Sequence, residues 1–118
     1  MPRVLALLAL LVTVLATSVS CSTSQADSPA PQPTMVMVTV NGDTVQPSGE
    51  TVDVAVGQPV ELVVKSDVDG EIHVHSDPEQ EIEFEPGTTS RTLTIERPGV
   101  VDVERHDPDA LVVQLEVR

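Results

Sequence analysis

From Met35 to the last residue, apolar side chains recur at every second position, in short runs broken by Gly, Pro, Asn and Asp. A period of two puts alternate side chains on opposite faces of an extended chain, so each run reads as a strand with one face to bury. The runs fall at 35–40, 43–46, 51–56, 60–65, 71–75, 81–85, 91–96, 100–106 and 110–117. Asn41-Gly42, Pro47-Ser48-Gly49, Gly57-Gln58-Pro59, Pro86-Gly87 and Pro98-Gly99 punctuate them. Asn-Gly between alternating runs is a strong tight-turn signal. No segment carries a helical stripe of useful length. Every strand has an apolar face to cover, which excludes a single layer. The fold class expected is all-β: a two-sheet Greek-key sandwich of eight or nine short strands, with a small barrel as the other closed solution.

The core must come from branched aliphatics. The chain has one Phe and no Trp or Tyr. Valine dominates, and β-branched residues favour strands. Without aromatic platforms, stacking sites for bases, sugars or flat cofactors are not expected.

Ahead of the strands lie two segments of different character. Met1-Pro2-Arg3 precedes a 13-residue apolar run, 4–16, then Thr17-Ser18-Val19-Ser20-Cys21. A basic start, a short apolar run and a small-residue boundary describe an export signal, and the run is too short to span a bilayer. Residues 22–34 are Ser-, Thr- and Pro-rich with no apolar period, a tether that reaches roughly 40 Å when extended. The organisation expected is a signal peptide over 1–20, Cys21 with its tether over 21–34, and one domain over 35–118. Cys21 is the chain's one cysteine, so no intrachain disulfide is available.

Six Lys and Arg stand against 19 Asp and Glu, a net charge of −13, which becomes −14 once Arg3 leaves with the signal. Such a chain repels nucleic acid and offers no basic stripe to overcome that, so no nucleic-acid partner is expected. The acidic outward faces read as a solvated surface; weak capture of cations or of a basic partner is the functional alternative.

The boundary at Cys21 resembles the lipobox of bacterial lipoproteins, in which the cysteine is acylated and becomes the first mature residue. Val19 and Ser20 fit that pattern; Ser18 departs from it, since the family prefers a branched aliphatic there. Ordinary cleavage after Ser20, giving a soluble exported chain, is the rival. The lipoprotein reading implies lipidation at Cys21, an extracytoplasmic body held to the cell membrane by its anchor, and a possible protein partner in the envelope.

Three stretches resemble the cupredoxin-like domain, including that of actinobacterial-type lipoproteins: 54–67 (Val-Ala-Val-Gly-Gln-Pro-Val-Glu-Leu-Val-Val-Lys-Ser-Asp), 71–75 (Glu-Ile-His-Val-His) and 86–106, with its two Pro-Gly steps. In copper-binding members a Cys ligand follows the second Pro-Gly; counted from Pro98, that place holds Arg105. Arginine cannot ligate copper, and blue copper needs the thiolate. An axial Met is missing too. The resemblance therefore implies the sandwich without blue-copper electron transfer.

His73, His75 and His106 are the chain's histidines. Two on one strand, with a third from another strand, can bind Cu(II) or Zn(II) through neutral imidazole, with Glu104 or Asp107 supplying a carboxylate. If the cupredoxin order holds, His75 and His106 end their strands at one pole. The alternation of Ile72 and Val74 puts His73 on the outer face. The plainer interpretation is three surface histidines made pH-sensitive by nearby carboxylates, with no cofactor. The function expected is thus a membrane-anchored, non-catalytic binding or interaction domain. The alternative is an envelope accessory that handles copper or iron through these histidines. A hydrolase is remote: no Gly-x-Ser-x-Gly turn or phosphate loop exists, and Glu81, Glu83 and Glu85 alternate as a solvated face. No enzyme activity is expected.

Overall fold

The computed structural model describes residues 28–118. Cys21, the signal over 1–20 and the first part of the tether lie outside the described residues. Residues 28–33 are exposed and carry no regular structure. The tether is tied where it meets the domain: Gln58 Nε2 donates to the Gln32 carbonyl oxygen (2.8 Å) and to Thr34 Oγ1 (3.0 Å).

Nine strands follow: β1 (Thr34–Asn41), β2 (Thr44–Gln46), β3 (Glu50–Val54), β4 (Pro59–Ser66), β5 (Gly70–Val74), β6 (Gln80–Phe84), β7 (Gly87–Thr94), β8 (Gly99–His106) and β9 (Ala110–Val117). They form a four-stranded sheet, β2-β1-β4-β7, and a five-stranded sheet, β3-β9-β8-β5-β6. The fold is the all-β sandwich that the alternation requires. Both sheets are mixed, because β1 lies parallel to β4 and β3 parallel to β9. The alternation cannot signal this, since it fixes which side chains face the core and not strand direction.

The core lies between the sheets. Val36, Val38 and Val40 of β1 meet Ile72 and Val74 of β5, Val101 and Val103 of β8, and Val113, Leu115 and Val117 of β9 in one buried cluster. The core of the sandwich is therefore mainly aliphatic. Phe84 is its one aromatic. Its ring lies over Gly70, its partner in the β5–β6 register, so closely that a Cβ at Gly70 would stand 2.6 Å from Phe84 Cζ. In β9 the period breaks: Val112 and Val113 are both buried. A bulge against β8 between Val103 and Glu104 absorbs the extra residue.

Three boundaries differ from the sequence pattern. β7 begins at Gly87 rather than at residue 91, because Gly87 to Thr94 pairs with the full length of β4. Its first half is Thr and Ser, which hides a strand from a hydrophobic period. β3 ends at Val54, short of the run's end at residue 56, and Val56 is 43% exposed. The chain turns there: Gln58 N–H donates to the Ala55 carbonyl, and Ala55 N–H to the Gln58 side chain, both at 3.0 Å. His75 falls just past β5, its N–H donating to the Asp102 carbonyl at 2.9 Å.

Candidate functional site

β5 and β8 run antiparallel, with His73 opposite Glu104 and Glu71 opposite His106. β6 runs antiparallel on the other side of β5, with Glu81 opposite His73 and Glu83 opposite Glu71. Ile72 and Val74 are fully buried, so their neighbours Glu71 and His73 stand on the outer face. The result is an outer face on which histidines and carboxylates alternate.

The three sequence-predicted histidines come together there. The His73 and His106 rings stack with centroids 5.0 Å apart and 30° between planes; His73 and His75 lie 6.2 Å apart. They do not meet at one pole. Because β5 and β8 are antiparallel, the ends carrying His75 and His106 point in opposite directions, and the rings converge across the sheet face instead.

Carboxylates fill the gaps. His73 Nε2 contacts Glu71, and its Nδ1 lies 3.2 Å from Glu79 Oε1. His75 Nε2 is 2.9 Å from Glu104, and its Nδ1 is 3.6 Å from the other oxygen of Glu79, which thereby bridges two histidines. His106 Nδ1 is 3.1 Å from Asp109. Asp109, rather than Asp107, serves His106; Asp107 sits in the tight turn with φ of 49°. A carboxylate only accepts hydrogen bonds, so His73, flanked at both nitrogens by Glu71 and Glu79, is favoured as the doubly protonated imidazolium. The Glu71 hydrogen bond accordingly raises the pKa of His73 above its ordinary value. Partial burial opposes this, while the charges of Glu71 and Glu81 and a hydrogen bond to Glu79 add to it.

The sequence pointed to Glu104 as a carboxylate but missed Glu71, Glu79 and Glu81. Glu71 was legible, two residues from His73 on one face. Glu81 was not, since its place depends on the β5–β6 register. Donor atoms of Glu71, His73 and Glu81 all lie within 4.8 Å of one another. Neutral imidazole and carboxylate oxygen together suit Zn(II) or Cu(II). The histidines, Glu104 and Asp109 line an open depression of about 360 Å³.

Arg105, next to His106, faces the other way. It is 3% exposed, and its Nη1 donates to the Gly42 carbonyl oxygen at 2.7 Å. Its Nε is buried without a partner. Arg105, where the sequence resemblance implies a thiolate, is a buried cation, with the histidines on the opposite side of the sheet. These residues do not fit a blue-copper centre.

No protein-family profile matches the chain, and no curated protein matches it in sequence. Solved structures do match in fold. An amicyanin variant in its Cu(I) form superposes with a TM-score of 0.52 at 14% identity, over 71% of this chain and 82% of its own. Blue copper oxidase from Nitrosomonas europaea gives 0.52 at 15% identity, over 75% of this chain and 44% of its own. A heme-copper terminal oxidase dimer gives 0.51 at 18% identity, over 72% of this chain and 65% of that one. The chain thus spans under two thirds of either oxidase chain. The domain has the cupredoxin-like fold.

Proposed function

We propose that this chain is an exported, lipid-anchored cupredoxin-like domain that reversibly binds Cu(II) or Zn(II) through His73, His75 and His106, with Glu71 and Glu81 as supporting carboxylates. The observation that carries this reading is the gathering of donor atoms of Glu71, His73 and Glu81 within 4.8 Å of one another, with the His75 and His106 rings beside His73 on the same sheet face. A set that gathers imidazole and carboxylate offers ligands for a borderline cation and none of the soft sulfur that a blue-copper centre requires. The role is capture or hand-off rather than electron transfer. Metal uptake must displace the proton that the carboxylates favour on the His73 imidazole, so binding strengthens as pH rises through the titration of His73.

Calorimetric titration with Cu(II) and Zn(II) tests the site. Saturable binding tighter than about micromolar is expected, with loss of tenfold or more in affinity for H73A. No saturable heat with either metal would leave a metal-free interaction domain. The anchor has its own test in the intact mass of the chain from the membrane fraction: a mature chain starting at Cys21 without acyl mass would remove it.

A further inference from the structure

The acidity is divided unequally between the two sheets. The strands of the five-stranded sheet hold Glu50, Asp53, Glu71, Glu81, Glu83, Asp102, Glu104 and Glu116 against Arg105, a net −7. The strands of the four-stranded sheet hold Glu61 against Lys65 and Arg91, a net +1. Two copies of a chain this acidic repel each other across most orientations. The four-stranded sheet is where they do not.

That sheet also presents the one long open edge among the described residues. Of the four edge strands, β2 has three residues, while β3 and β6 have five each and carry two acidic residues apiece. Short strands and charges are the usual protection against edge-to-edge pairing. β7 has neither: its eight residues, Gly87-Thr-Thr-Ser-Arg-Thr-Leu-Thr94, include no Pro and no acid. It pairs with β4 along its whole length without a register shift, so its outer row of N–H and C=O groups is straight and complete.

We propose that β7 is a self-association edge, pairing antiparallel with β7 of a second copy about a two-fold axis through Ser90 to make one eight-stranded sheet. The chemistry fixes the register. A two-fold axis normal to the sheet keeps each face on its own side, so facing residues share parity. Centred on Ser90, the pairing sets Thr88 against Thr92 of the second copy and Arg91 against Thr89 of the second copy. Shifted one step towards Thr94, it would set Arg91 against its own copy, a like-charge pair that destabilises a ladder; shifted one step towards Gly87, it would pair only five residues of each strand, 87–91, instead of seven. Thr–Thr cross-strand pairs are favourable, and main-chain hydrogen bonds supply the rest of the affinity, as in strand-addition complexes.

The test uses the full chain with Cys21→Ser, so that no native thiol competes. Sedimentation over a dilution series is expected to show a reversible monomer–dimer equilibrium. Thr88→Lys with Thr92→Lys places lysines opposite each other at both symmetric pairs and is expected to give monomer at every concentration, with an unchanged circular dichroism spectrum. Ser90→Cys, under mild oxidation with glutathione, is expected to form a disulfide-linked dimer, while Thr88→Cys, which faces Thr92 rather than itself, is not. Monomer throughout the series, a dimer that survives the lysine pair, or equal cross-linking at positions 88 and 90 would each overturn the proposal. Metal is absent from these measurements, so their outcome is separate from that of the histidine site.

Discussion

Arg105 Nη1 donates to the carbonyl oxygen of Gly42 at 2.7 Å, joining the end of β8 to the β1–β2 turn across 63 residues of sequence. The same turn is held from its other side, where Gly42 N–H donates to Asp67 Oδ1 at 2.8 Å. A buried guanidinium with an unpartnered Nε is costly to desolvate, and one hydrogen bond offsets only part of that. Arg105→Met keeps much of the volume and removes the charge; its unfolding free energy in urea is expected to stay within about 1.5 kcal/mol of the parent or to rise. Arg105→Ala leaves a void as well and is expected to lose about 2–4 kcal/mol. A large loss in the Met variant would show that the hydrogen bond to Gly42, rather than packing, holds this end together.

Arg105→Cys restores the thiol that the cupredoxin resemblance places there, yet no blue centre is expected. The side chain at 105 enters the core, whereas His106 and His73 stand outside the same sheet, and one metal ion cannot be ligated from both faces of a strand. The absorption spectrum of that variant with Cu(II) should lack the intense visible band of a copper–thiolate centre. Appearance of the band would mean that β8 can turn over locally and that the face assignment is wrong.

Gly70 and Phe84 are a matched pair. A methyl group at Gly70 would stand 2.6 Å from Cζ of a ring that is itself 97% buried, so the ring must shift against the core. Gly70→Ala is expected to cost about 1–3 kcal/mol in urea or thermal unfolding. Adding Phe84→Leu, which vacates the ring, should return part of that loss, and the double-mutant cycle measures the coupling. Additive effects would show that the two residues do not act together.

The alternation along β1, β4 and β9 made the sandwich legible, because a period of two with branched aliphatics leaves few other ways to bury one face. β7 was half hidden, since Thr88, Thr89 and Ser90 carry no apolar signal and the strand exists through its pairing with β4. The three histidines were visible as residues, and the inward phase of Ile72 and Val74 put His73 outside. Their convergence was not visible. The stacking of His73 on His106 depends on β5 lying beside β8, and the approach of Glu81 depends on the β5–β6 register, both long-range pairings that no local pattern encodes. Only the resemblance to the cupredoxin-like domain marks Arg105 as the thiolate position, whereas the alternation of β8 by itself turns Arg105 inward.

His73 offers a pH-dependent readout of the same face. The hydrogen bond from its ring to Glu71 raises its pKa in the folded chain, whereas in the unfolded chain it returns to the ordinary histidine value of about 6.5. A group whose folded pKa lies above its unfolded one binds more protons when folded. Its contribution to stability is therefore complete below about pH 6.5 and fades as pH rises through the folded pKa. Proton NMR of the ring should place the His73 midpoint above that of a free histidine, and Glu71→Gln, which removes the first cause of the shift, should lower it. Unfolding measured on either side of the His73 midpoint should show a smaller pH dependence in Glu71→Gln than in the parent. A His73 midpoint at or below the ordinary value would mean that burial outweighs the carboxylates, and that the imidazole is already neutral and open to a metal at neutral pH.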